Sequence, residues 1–164
     1  MSKNRRHMVA EVLNNVAWSC FLPCLLLTPS LRGAAQEKLP PEPVIQVEIS
    51  GLRRDKGAVL CALYSSSDGF PKKSEKAIAH DKSAISEHKA TCRFSGVAPG
   101  NYAVSVFHDE NSNGKLDTNF MGIPREGVGA SNNARGHFGP PKFDAASFQY
   151  AGGRIDLKIT IMYL

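Results

Sequence analysis

Long apolar runs, tryptophan and helical periodicity are all scarce in this sequence. Among 164 residues there is one Trp and there are four Cys. The longest apolar stretch, residues 16–27 (VAWSCFLPCLLL), is too short for a comfortable membrane span, and Pro23 interrupts it. With no second run of that kind, the rest of the chain is expected to carry no transmembrane span. Beyond residue 35 there is no C-x-x-C pair and no Cys/His zinc spacing, which removes the usual zinc frameworks. The glycines of residues 122–129 lack the spacing and strand-to-helix context of a nucleotide fingerprint, and Ser131 has no G-x-S-x-G context.

Excess charge is missing too, once it is divided along the chain. The formal net charge is +5, from 20 Lys and Arg against 15 Asp and Glu. Residues 1–35 hold Lys3, Arg5, Arg6 and Arg32 against Glu11, so most of the excess lies there. The remainder is near neutrality, and a nucleic-acid partner is not expected, because such binders concentrate Lys and Arg on the folded face.

What is present at the N-terminus is an address. A basic start, the apolar stretch and the small cluster Gly33-Ala34-Ala35 describe a secretory signal peptide over 1–35, cut before Gln36. The alternative is a retained membrane anchor. Residues 36–43 (QEKLPPEP) read as a leader or linker, and 44–164 as one domain. Export to the periplasm or the extracellular space follows as an expectation. Cys20 and Cys24 leave with the signal. Cys61 and Cys92 remain as a candidate disulfide in an oxidising compartment, the alternative being two buried thiols.

Along 44–164 the periodicity is that of strands. Ile45, Val47 and Ile49 alternate with Gln46 and Glu48, which gives a half-buried strand. Residues 57–64 (GAVLCALY) are almost wholly apolar and suit a central strand. Residues 70–89 allow either a short helix or a weak edge strand. Residues 90–97 and 101–108 read as two strands joined at Ala98-Pro99-Gly100, so 90–108 is expected to form a hairpin. Residues 109–142 read as one long loop, a length more often functional than idle. A helical turn at 143–146, a short strand at 147–150 and a clean alternating strand at 155–161 follow. The fold class expected is all-β, a single sandwich of transthyretin-like or immunoglobulin-like Greek-key type with that one long loop.

Chemistry concentrates in residues 108–119 (HDENSNGKLDTN). Asp109, Asn111, Asn113, Gly114 and Asp117 spell D-x-N-x-N-G-x-x-D, the first nine positions of a calcium loop of EF-hand type. Hard cations take six to eight oxygens, and alternate side chains on a tight loop supply them. Asp109, Asn111, Asn113 and Asp117 are the side-chain candidates, and Lys115 offers its backbone carbonyl. Phe120 stands where the bidentate Glu belongs, and a strand precedes the loop. The loop is therefore not an EF-hand, and Glu110 or Glu126 is expected to close it. The competing reading is a metal-free turn in which Asp and Asn bond their own backbone.

Arg125 and Arg135 are candidates for an anionic ligand, although an ordered surface loop explains residues 122–136 as well. His108 and Asp109 make a poor catalytic dyad, since adjacent strand residues point to opposite faces.

The run from Phe94 to Ala134 resembles a bacterial family of small exported proteins known as domain of unknown function 2141. The likeness covers roughly 44–163. Its specific pieces are Pro99-Gly100-x-Tyr102, His108-Asp109-Glu110-Asn111, Gly114, Leu116-Asp117 and Gly122-Ile123-Pro124-x-Glu126. The resemblance implies an exported β-sandwich and carries no activity with it. The turn at 94–104 also resembles that of transthyretin-like and collagen-adhesin B-type sandwiches, as an analogy of fold. The expected role is a non-enzymatic binding module with a Ca²⁺-like loop. Two alternatives stand beside it: a hydrolase-like enzyme using His108, Asp109, Glu110 or Glu126 within 108–135, and a metal-free module for a cell-envelope protein or glycan partner.

Overall fold

The computed structural model describes residues 42–164. The expected signal at 1–35 and most of the 36–43 leader lie outside the described residues. Eight strands form two sheets: β1 (Val44–Ser50), β2 (Ala58–Tyr64), β3 (Ala79–Ser83), β4 (Ala90–Ser95), β5 (Gly100–Asp109), β6 (Val128–Ala130), β7 (Phe148–Tyr150) and β8 (Arg154–Thr160). A single helical turn, α1 (Phe143–Ala146), precedes β7. One sheet runs β4-β1-β8 and the other β3-β2-β5-β6, with β7 pairing the start of β5. The architecture is a β-sandwich.

Alternation makes the first sheet. Ile45, Val47 and Ile49 of β1 are buried, as are Ala90, Cys92 and Phe94 of β4 and Ile159 of β8. Each of the Ile, Val and Phe side chains contributes about 1.5–3 kcal/mol by leaving water. These residues face Val59, Cys61, Leu63, Tyr102, Val104 and Val106 of the second sheet in one core. A disulfide between Cys61 of β2 and Cys92 of β4 ties the two sheets, with Cα atoms 6.5 Å apart.

The nearly unbroken apolar run of β2 has a separate cause. Its other face is covered as well: Ala62 and Tyr64 join Ala103, Ala130, Phe143 and Ala146 in a second cluster. A strand buried on both sides loses its polar alternation. In residues 70–89 the short 3-10 turn Ser74–Lys76 leads into β3, which is an edge strand. Asp81 and Ser83 of β3 accept the backbone N–H groups of Arg93 and Thr91 across the gap to β4. Those bonds satisfy the open edge of β4 and block further pairing there.

Two expectations are corrected. Residues 90–108 are not a hairpin: β4 pairs β1, whereas β5 pairs β2. Both strands present apolar side chains to the same core from opposite sheets, so the Pro99-Gly100 turn crosses the sandwich instead of closing a ladder. The stretch 109–142 is not one loop either, because β6 interrupts it and pairs Ser105–Phe107 of β5. Valine is the only β-branched residue in β6, which hid it. Its glycine serves packing: a Cβ on Gly129 would stand 2.8 Å from Ile159 Cγ2.

Candidate functional site

Strand β5 ends in two consecutive buried polar residues, His108 and Asp109, both fully inaccessible. As expected for neighbours on a strand, they have separate partners. His108 Nε2 lies 2.7 Å from the Lys56 carbonyl, and Nδ1 lies 2.7 Å from the Tyr163 hydroxyl. Nε2 therefore donates to the carbonyl, and Nδ1 shares a hydrogen bond with the Tyr163 hydroxyl. Tyr163 in turn accepts the Arg53 N–H at 3.1 Å. Burial, opposed by that Arg53 N–H bond, holds the Tyr163 phenol above its ordinary range. Both nitrogens of His108 are thus engaged in holding the chain terminus against the β1–β2 turn.

Asp109 starts the loop. Its Oδ1 accepts the Asn113 N–H at 3.0 Å, and its Oδ2 accepts the Gly114 N–H at 2.9 Å. The bend that brings those amides back requires positive φ at Ser112 and Gly114, +60° and +74°. Asn111 Oδ1 accepts the Asn113 N–H, and Asn113 Oδ1 accepts the Lys115 N–H, as in Asx turns. The amide nitrogens of Asn111 and Asn113 donate to the two oxygens of Asp117 at 2.7 and 3.1 Å.

Glu126 closes the structure from the far limb. It is 4% exposed, and its oxygens accept the N–H groups of Glu110 (2.9 Å) and Asp117 (3.0 Å). Glu110 turns the other way, to Arg53 at 2.6 Å and Arg54 at 3.4 Å. Of the two acids expected to close the loop, only Glu126 reaches into it. The limbs are held by the Arg125 N–H to Asp117 carbonyl bond and by a bridge between Thr118 and Pro124.

The charge balance of this loop is its most informative property. All six carboxylate oxygens of Asp109, Asp117 and Glu126 accept an N–H donor, and a carboxylate oxygen has the lone pairs to accept a second. Among the described residues no Lys, Arg or His forms an ion pair with any of the three. Glu110, one residue from Asp109, has two arginines. The loop is hydrogen-bonded without being neutralised.

Among the described residues, three or more His, Cys, Asp or Glu side chains do not already converge as a metal cage. A cation here would need asparagine and backbone oxygens as well, which hard cations accept. Among the described residues nothing donates to the Lys115 carbonyl oxygen, the group the motif assigns to a cation.

The remaining candidates are not brought together. Arg125 is exposed on the loop, and Arg135 lies beyond β6 at its opposite end. Ser131 is fully buried and structural. Its hydroxyl accepts the Val104 N–H at 2.9 Å and donates to the Ala146 carbonyl at 2.5 Å. Two open surface depressions lie elsewhere, at Leu60, His80 and Lys82 and at Glu48, Lys89 and Lys158.

Four residues that support the site were not picked out from the sequence: Arg53, Arg54, Gly57 and Tyr163. Gly57 has φ +85°, and a Cβ there would collide with the Asp109 carbonyl. The adjacent arginines of the charged turn at 51–56 gave no specific signal, because exposed arginines are solvated without a partner and only the long-range placement of Glu110 beside them makes the pair.

Comparison with known families matches residues 47–158 to the family described as uncharacterized protein conserved in bacteria (DUF2141). The chain belongs to this family. The match spans β1 to β8 and includes the whole 109–126 loop. No curated protein and no solved structure matches the chain.

Proposed function

We propose that this DUF2141 domain is an exported, non-enzymatic binding module whose 109–126 loop takes Ca²⁺. One observation carries the reading. Asp109 and Glu126 are buried, Asp117 is partly buried, and no basic side chain among the described residues compensates them. Buried charges in proteins are paired or coordinate metals. A hard divalent ion supplies the missing positive charge, and Asp109, Asn111, Asn113 and Asp117 with the Lys115 carbonyl supply oxygens. Glu126 holds the two limbs together. With neutral asparagines at two positions the affinity expected is that of extracellular modules, about 10⁻⁴–10⁻³ M.

Export is supported by the basic and apolar N-terminal pattern and by the Cys61–Cys92 bond, since disulfides persist in oxidising compartments. The non-enzymatic reading is supported by the engagement of His108 and Glu126 in structural bonds.

Calorimetric titration of the protein with CaCl₂ tests this. Saturable heat in the wild type, abolished in D117N and E126Q, is expected. No heat up to millimolar Ca²⁺, together with an unchanged melting temperature, overturns the proposal, because a ligand of the native state must stabilise it.

A further inference from the structure

Beyond the bridge between Thr118 and Pro124 the loop narrows to a tight bend. Asn119 holds it: its N–H donates to the Ile123 carbonyl, and its Oδ1 accepts the N–H groups of Met121 and Ile123. The bend presents apolar side chains outward. Phe120 is 96% exposed and Met121 65%, with Leu116 and Ile123 also exposed. Phe120, Met121 and Ile123 on a self-bonded turn, with Leu116 on the limb before it, are an unusual cost in water. Phe138, the other fully exposed aromatic, follows β6, whose direction carries it toward the opposite end of β5.

Lys115 and Arg125 are exposed, one on each limb, and neither forms an ion pair among the described residues. Of the nearby acids, Glu126 is buried and Asp117 half-buried, and both accept hydrogen bonds from the loop. A protruding apolar tip between two cations suits an anionic lipid surface. Apolar side chains enter the acyl boundary while Lys and Arg stay among the headgroups. The bend is held by its own bonds, so little ordering is lost on contact.

We propose that residues 115–125 dock the domain onto anionic phospholipid, with Phe120 and Met121 inserted and Lys115 and Arg125 at the headgroups. This names a partner for the loop assigned above and rests on that loop being the binding element, though not on its calcium.

Hydrogen exchange of the full chain resolves the tip separately from residues 1–41. With vesicles of phosphatidylglycerol and phosphatidylethanolamine, amides of 116–124 are expected to gain protection, and with phosphatidylcholine vesicles they are not. F120S/M121S should weaken the effect at least about tenfold, since each buried apolar side chain is worth about that factor or more. K115Q/R125Q should reduce it at low salt and differ less from wild type at raised salt, where screening weakens the headgroup attraction. Unchanged exchange at 116–124 with anionic vesicles, in both calcium and chelator, overturns the proposal. So does equal protection by phosphatidylcholine, or protection that rises with protein concentration alone, which would mean a second copy covers the tip. Protection that persists in chelator while calorimetry shows no calcium heat would fail the calcium reading and keep this one.

Discussion

Residues 109–126 and residues 130–147 are both rich in asparagine and small residues, yet carboxylates pin the first and neutral side chains pin the second. In the second arm Ser131 bonds Val104 and Ala146, and Asn132 donates to the Ser147 carbonyl at 2.8 Å. Asn133 caps the edge of β8 by accepting the Thr160 N–H. Every one of those interactions is complete without charge. The first arm spends three carboxylates on the same kind of work and leaves their charge unbalanced. Neutral, closed hydrogen bonding explains architecture, while carboxylates without a basic partner are what the proposed calcium site rests on.

The largest expected effect is a control that touches neither arm. Removing the disulfide as C61A/C92A frees a sequence separation of 31 residues and should cost about 3–4 kcal/mol. The calcium heat, measured below the new melting point, should be unchanged; its loss would show that the loop depends on the sandwich closure rather than on its own bonds.

Next comes the arm-specific pair. D109A removes the acceptor of the Gly114 N–H and one of the two acceptors of the Asn113 N–H, and should cost about 2–3 kcal/mol by chemical denaturation. Its cost should grow in millimolar calcium, because the wild type gains ligand stabilisation that the variant lacks. S131A strands a buried N–H and a buried carbonyl and should cost about 1–3 kcal/mol, equally in calcium and in chelator. A calcium-dependent S131A penalty would erase the distinction between the arms.

The smallest effect concerns the clamp beneath the loop. Y163F removes the O–H to His108 and the acceptor for Arg53, at about 1 kcal/mol. Burial raises the Tyr163 pKa, so the folded state retains the phenolic proton more tightly than the unfolded state. Its stabilising contribution is therefore full below about pH 10 and is lost as pH climbs through the folded-state value. Wild type should lose stability over that alkaline range more steeply than Y163F; parallel curves would remove Tyr163 from the clamp.

Much of the sandwich was legible because burial imposes a period of two. Ile45, Val47 and Ile49 announce β1, and Ile155 to Ile161 announce β8. Strand pairing was not legible: Ala90–Ser95 and Gly100–Asp109 look like a hairpin, and only the sheet each joins decides otherwise. β6 escaped because its glycine is dictated by Ile159 across the sandwich, not by local propensity. In the site, spacing revealed Asp109 to Asp117. The split between Glu110 and Glu126 depended on long-range placement of Arg53 and Arg54, which no local pattern contains.

Backbone amide resonances followed during a Ca²⁺ titration test the central claim most directly, because they report the two arms at once. Saturable shifts are expected at Asn113, Gly114, Lys115 and Asp117, with Ser131 to Ala146 unmoved. Resonances of the 109–126 loop that stay fixed through millimolar calcium would contradict it.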